Sequence, residues 1–374
     1  MDNNLEQMLR ISKATVKANK FLNKTVDRVN VDAVLDTVDV LNKNISPVFC
    51  GVKNTKAVRK KYINNLFKHK KYIWHTIDSM ADGGRSIDIR LNNPLTGKLM
   101  TGSSSATAIN VLYGINDVGI CSDGGGSVLA PALSLNLYSI MANGMGLKAN
   151  YSKISTDGID FTAGIGVISY SLNLAKNCIY DMGNIQSTNL NNEISKLKIA
   201  VPCIGDIILP NGKDMREGLN DTVYYMKQNN IEIHEERFPN FNDREDSIIR
   251  VNELLLKYDI LITLEGPIDL EGLGDSVFGN MGSFAKGLQN RSGKYLVKIA
   301  NMVNATAVTI PVGEIASGIV MLAREGIDNG VRLINIAEKL SDKNLMPKLY
   351  IDYFKKSYLR RNNDLIFNID GDEN

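Results

Sequence analysis

The chain predicts an α/β fold: a single domain in which a mixed, largely parallel β-sheet is covered by helices on both faces. Three observations carry this expectation. Short apolar runs of strand length recur through the second half of the chain, amphipathic stretches at helical spacing lie between them, and a long segment of the first half is almost free of charge.

Taken in order, Val31, Leu35, Val38 and Leu41 recur at helical intervals, and residues 48–52 form an apolar run that reads as a buried strand with Lys53 at its end. Thr55 is placed to cap a helix showing Val58, Tyr62, Leu66 and Phe67 on one side. Ser105 or a neighbour can cap a helix running to Gly114, residues 118–122 (VGICS) read as a short buried strand, and 128–143 read as a helix with Pro131 in its first turn, where proline is tolerated. Later strands are expected at 197–202 (LKIAVP), 259–264 (DILITL), 306–312 (TAVTIPV) and 318–323 (GIVMLA), with helices at 213–227, 246–257 and 328–340. No repeat, low-complexity linker or domain boundary is visible, and the polar tail after Asp364 is expected to fray.

Composition excludes several function classes. With 43 Lys and Arg against 41 Asp and Glu in 374 residues, the formal charge is +2, which argues against a dedicated nucleic-acid binder. The cysteines at 50, 121, 178 and 203 stand far apart, without a CxxC pair or a zinc-type spacing, and the N-terminal sequence lacks the apolar run of a signal peptide; a reduced, cytoplasmic protein is the expectation. Only three histidines are present (His69, His75 and His234), too few for a multi-histidine metal site and unfavourable to any mechanism that needs a histidine base.

Between 99 and 147 the only charged residues are Asp117 and Asp123. The uncharged run 124–147 has the length of a membrane span, but Gly124, Gly125, Gly126, Pro131, Asn136 and Asn143 unfit it for lipid, so buried core is the better reading. The basic stretch 56–71 (KAVRKKYINNLFKHKK) carries apolar residues at helical spacing and reads as a solvated helix face rather than a nucleic-acid or lipid site.

Two small-residue clusters lie inside the charge-poor block: 101–108 (TGSSSATA) and 123–132 (DGGGSVLAPA). The second reads as strand, glycine turn and helix start. Such a turn can aim successive N–H groups into one cavity, with the helix dipole behind them, a geometry that suits either a phosphate or the oxyanion of acyl transfer. Ser127 follows the glycines, where a nucleophile would stand beside those donors. No Walker Lys-Ser/Thr follows, GxSxG fails at Leu129, and GMGLKA at 144–149 matches a dinucleotide fingerprint only formally, so no cofactor is expected. With histidine scarce, a buried lysine can serve as base if desolvation keeps it neutral, and Lys53 at a strand end is the candidate; the alternative is a strand-end cation reaching solvent.

These residues resemble the amidase-signature family of serine hydrolases. Its members carry a Gly-Gly-Ser-Ser-Gly-Gly-like segment, then an Asp-Thr-Gly-Gly-Ser-like segment, and upstream a Pro-Val-X-X-Lys-Asp-like strand. Ser103 and Ser127, 24 residues apart, fit that spacing, and Lys53 stands in the upstream strand. Further segments resemble the family in order: Gly146-Leu147-Lys148, 160–182 as its next helical segment, 197–202, 258–267 (YDILITLEGP) and 304–313 (NATAVTIPVG). The chain is identified as a short and divergent member. Leu129 replaces an arginine and Ser105-Ala106 replace a Gly-Gly, which puts the substrate in doubt more than the machinery.

The resemblance implies one domain over 1–374, with an N-terminal helical segment (1–45), a catalytic core (46–340) and a C-terminal helix and polar tail (341–374). It implies a Ser–cis-Ser–Lys triad: Ser127 as nucleophile, Ser103 as the cis-peptide serine, Lys53 as base. The N–H groups of Gly124, Gly125, Gly126 and Ser127 would hold the oxyanion, with Ser104 and Asp123 bracing the loop. The implied activity is hydrolysis of a small-molecule or peptide amide through an acyl-enzyme, without metal or other cofactor, nucleic acid or membrane, in a cytoplasmic protein that could form a homodimer. An amide-transferring complex and a non-catalytic or repurposed biosynthetic member of the same fold are the alternatives.

Overall fold

The computed structural model describes residues 3–186 and 197–341. The elements run, in chain order, α1 (Asn3–Lys20), β1 (Val26–Val29), α2 (Ala33–Leu41), β2 (Val48–Lys53), α3 (Lys60–Lys68), β3 (Tyr72–Asp78), β4 (Ile87–Asn92), β5 (Leu99–Thr101), α4 (Ser105–Leu112), β6 (Val118–Asp123), α5 (Leu129–Ser134), β7 (Tyr138–Met141), β8 (Lys148–Ile154) and β9 (Asp160–Ser169). They continue with α6 (Leu172–Gly183), β10 (Lys198–Pro202), α7 (Asn220–Gln228), β11 (Glu232–Glu236), α8 (Arg244–Lys257), β12 (Ile260–Glu265), α9 (Ser276–Gly279), α10 (Ser283–Asn290), β13 (Thr306–Pro311), β14 (Gly318–Ala323) and α11 (Ile327–Ser341). The expected C-terminal helix and tail at 341–374 lie outside the described residues, apart from Ser341 at the end of α11.

A 12-stranded mixed sheet runs through the molecule in the order β1-β3-β2-β6-β9-β7-β13-β14-β12-β10-β11, with β8 paired to β9 outside this path. Pairing is parallel in two flanks, β3–β2–β6 and β12–β10–β11. Through the middle, β6–β9, β9–β7, β7–β13, β13–β14 and β14–β12 pair antiparallel. The reason is connection length: β8 to β9 and β13 to β14 are joined by short loops that permit only hairpins, whereas β2 reaches β3 through α3 and β10 reaches β11 through α7.

Strand alternation divides the core between two faces. Ile120 of β6 with Ile165 and Val167 of β9 belong to the larger cluster, which includes Leu66 of α3, Ile179 of α6 and Leu333 of α11. Cys121 and Ile168 belong to a second cluster with Ile109 and Val111 of α4. Helices therefore cover both faces, as the sequence predicts. The low-charge block forms core: α4, β6 and α5 are buried along their whole length. On α3, Tyr62 and Leu66 point inward while Lys60, Lys61 and Lys68 are exposed, so the basic stretch is a solvated face.

Four boundaries differ from the sequence reading. The helix expected over 213–227 begins only at Asn220, because Asp214 bridges Ile208 and 217–219 form a 3₁₀ turn. The helix expected over 128–143 ends at Ser134, because Asn136 turns to φ +50° and the chain re-enters the sheet as β7. The segment 160–182, expected to be helical, divides into β9 and α6, since residues 163–169 are a continuous buried run in the centre of the sheet. The cap of α3 is Arg59; Thr55 accepts from the Ala57 N–H at 3.3 Å in the preceding turn instead. No helix among the described residues is long and apolar enough to cross a membrane.

Candidate active site

The site forms where the parallel strands β2 and β6 end together, the rim at which open α/β sheets present their loops. β2 lies between β3 and β6, so Lys53 at its end is enclosed on both sides and only 2% exposed. Its Nζ donates to Ser103 Oγ at 2.7 Å and Ser104 Oγ at 3.1 Å, with longer contacts to Ser122 O at 3.4 Å and Ser122 Oγ at 3.5 Å. Among the described residues it makes no ion pair. Burial lowers its pKa to about 8, against smaller opposing effects from Cys121 and Asp123. At neutral pH roughly one lysine in ten then carries a free lone pair, a few hundredfold more than in solution.

The turn between β5 and α4 supplies Ser103. Gly102 sits at φ +75°, and a Cβ there would meet Pro131 Cδ at 2.6 Å, so only glycine lets this turn close onto the start of α5. The approach places the Ser103 N–H 3.3 Å from Ser127 Oγ, to which it donates. The Gly102–Ser103 peptide is trans; Gly266–Pro267 is the one cis peptide among the described residues. The expected cis linkage at Ser103 is thus corrected.

The glycine turn after β6 is organised by Asp123, which is fully buried. Its Oδ1 accepts from Gly126 N at 2.6 Å, and its Oδ2 from Val128 N at 2.6 Å and Leu129 N at 3.4 Å. Burial raises the Asp123 pKa while these amides pull it down. The bracing corrects one expectation. Gly126 N–H is committed to Asp123 and does not face the cavity, which Gly124, Gly125 and Ser127 line. Gly126 instead holds φ +99° against Val297, where a Cβ would come within 2.8 Å of Cγ1.

Ser103 and Ser127 open into a cavity of about 270 Å³, whose wall also includes Lys53 and Ser122. Sequence reasoning passed over Ser122, although its place beside Asp123 in a buried strand was visible. It also passed over Arg85, Lys153 and Arg244, which line the same cavity from distant segments and carry no local motif. Leu129, at the position of the missing arginine, is fully buried in the main core. The 144–149 segment forms a 3₁₀ turn at 143–145 leading into β8, not a strand-to-helix turn, so the formal dinucleotide match has no structural basis. No histidine lines the cavity; His75 is buried elsewhere, beside Thr15 and Asn116.

No family model matches the chain. No curated protein matches it in sequence either. Its fold, however, is shared with solved structures. An amidase superposes with a TM-score of 0.60 at 12% identity, covering 89% of this chain and 96% of the amidase. One component of the glutamyl-tRNA(Gln) amidotransferase from Thermotoga maritima superposes with a TM-score of 0.60 at 14% identity, covering 91% of this chain and 94% of that one. Kluyveromyces lactis allophanate hydrolase gives 0.61 at 15% identity, over 91% of this chain and 70% of the hydrolase. The chain has the α/β fold of amide-processing enzymes. More particularly, that is the amidase-signature fold, with a lysine and two serines at the sheet rim.

Proposed function

We propose that this protein is an amide-bond hydrolase in which Ser127 is the nucleophile, Lys53 the base and Ser103 the relay between them. The observation that carries the reading is the buried, unpaired Lys53, 2.7 Å from Ser103 Oγ, with Ser103 N–H on Ser127 Oγ at the wall of one cavity. In its neutral form Lys53 accepts the Ser103 hydroxyl proton while Ser103 takes the proton of Ser127. The Ser127 oxygen bonds to the amide carbon. The N–H groups of Gly124, Gly125 and Ser127 are the candidate oxyanion donors, and one such donor is typically worth ~10²–10³ in rate. The proton then returns through Ser103 to the leaving nitrogen as the C–N bond breaks, and water releases the acyl group from Ser127. Ser104 and Ser122 hold the lysine amine in place.

The test is covalent labelling. A fluorophosphonate should add its mass to the peptide that carries Ser127, and Ser127→Ala, a small change, should abolish the adduct in a folded protein. An adduct that persists in Ser127→Ala would refute the nucleophile.

A further inference from the structure

The wall of the Ser127 cavity carries four cationic side chains, Lys53, Arg85, Lys153 and Arg244, and no carboxylate among the described residues. Two of the cations are tied down from outside. Arg85 pairs with Asp275, whose side chain is 1% exposed and also accepts from Ser86 N at 3.0 Å. Arg244 gives Nη1 to Asp157 at 2.5 Å, which leaves Nη2 facing the glycine turn, 3.6 Å from where a Cβ on Gly125 would lie. Lys153, on β8, makes no ion pair among the described residues and has only the Tyr151 ring beneath it, 5.6 Å from Nζ. Its charge is felt at the reactive end of the cavity, where it helps to lower the Lys53 pKa. The adjoining cavity is different in kind. It shares Arg244 and Ser276 but sets Asp157, Asp243 and Glu245 against Lys286 and Lys298. The excess of positive charge therefore belongs to the space in front of Ser127.

Resting on the hydrolase reading above, we propose that the substrate is a small amide bearing a carboxylate or similar anion, which Lys153 and Arg244 seat beside the scissile carbonyl. The physical argument is one of charge complementarity. The cavity, about 270 Å³, is large enough for a small ligand. Lys153 is exposed and Arg244 is paired on one side only, so both can turn their charge towards a bound anion, the guanidinium through planar, charge-assisted hydrogen bonds. A neutral amide would draw nothing from this charge, and a cationic amine would be repelled.

The experiment compares the mono-4-nitroanilides of malonic, succinic and glutaric acids with their methyl esters, which differ only in charge and one methyl group. Equilibrium binding is measured by calorimetry in the Ser127→Ala protein, so turnover is not required. At least one acid should bind ~10-fold or more tightly than its ester. The preference should weaken as salt is raised. Lys153→Met should remove most of it, and Lys153→Glu should reverse it; Lys153→Arg should keep it, and Arg244→Gln should reduce it. Equal binding of acid and ester, binding of neither, or a preference that survives Lys153→Met combined with Arg244→Gln would each overturn the proposal. Fluorophosphonate labelling of the otherwise unaltered protein separates the two readings. Anion preference without labelling of Ser127 retains the anion site and refutes hydrolysis; labelling without anion preference does the opposite.

Discussion

At the residue scale the central group is Lys53, whose setting works against the folded state. Its folded pKa of about 8 lies below the ordinary lysine value of 10.5. Below pH 8 both folded and unfolded chains carry the proton, and the folded chain bears the full cost of a buried ammonium. Between pH 8 and 10.5 the unfolded chain holds more protons, so stability rises with pH. Lys53→Met should therefore stabilise the protein most below pH 8, and the gain should shrink as pH rises towards 10.5. Chemical denaturation of both proteins across that range measures it, and a gain that does not depend on pH would mean that Lys53 is not desolvated. Asp123 is desolvated as well, but its carboxylate closes the glycine turn through three amides. Asp123→Ala should cost roughly 2–4 kcal/mol. It should also slow fluorophosphonate labelling of Ser127 by ~10² or more, because the turn would no longer hold its donors in place.

At the scale of elements, the site depends on two loops pressed against neighbours. Gly126 at φ +99° lies against Val297, whose own N–H is held by Glu265 Oε1 at 3.2 Å. Gly126→Ala should then cost roughly 1–3 kcal/mol through backbone strain alone. It should slow labelling more than Gly97→Ala, since Gly97 at φ +72° has nothing within reach of an added Cβ and is not part of the cavity wall. Equal effects of the two substitutions would deny the close approach its role. Much at this scale was legible in the sequence. The buried strands and the charge-poor core followed from apolar runs, and the meeting of Lys53 with Ser103 was implied by the family resemblance. The early end of α5 did not, because a single asparagine at positive φ decides it. Nor did the trans peptide before Ser103, the commitment of Gly126 to Asp123 or the arrival of Arg244 from α8, all of which depend on tertiary contacts without a local pattern.

At the scale of the whole molecule, burial leaves a titration signature. Glu265 is fully buried under the 295–297 turn and its pKa is raised to about 7; Asp78, buried beside Asn110 and Thr76, is raised to about 6. For a raised carboxyl the folded chain keeps its proton while the unfolded chain loses it, so stability falls as pH rises from the ordinary carboxylate range to the folded value. The stability difference between the unaltered protein and Glu265→Gln should therefore shift against the unaltered protein between pH 4.5 and 7, and stay level above that. A difference that is flat throughout would show that Glu265 is ionised in the core.

The claim on which the mechanism turns is that a neutral Lys53 drives acylation of Ser127. The pH dependence of fluorophosphonate labelling, followed by intact mass in the unaltered protein and in Lys53→Met, tests it most directly. The rate in the unaltered protein should rise with pH and level off above about 8, following the Lys53 amine. In Lys53→Met it should fall by at least ~10² and lose that rise, and Lys53→Arg should not restore it, because arginine keeps its proton. A Lys53→Met protein that labels at an undiminished rate with the same pH profile would contradict the mechanism.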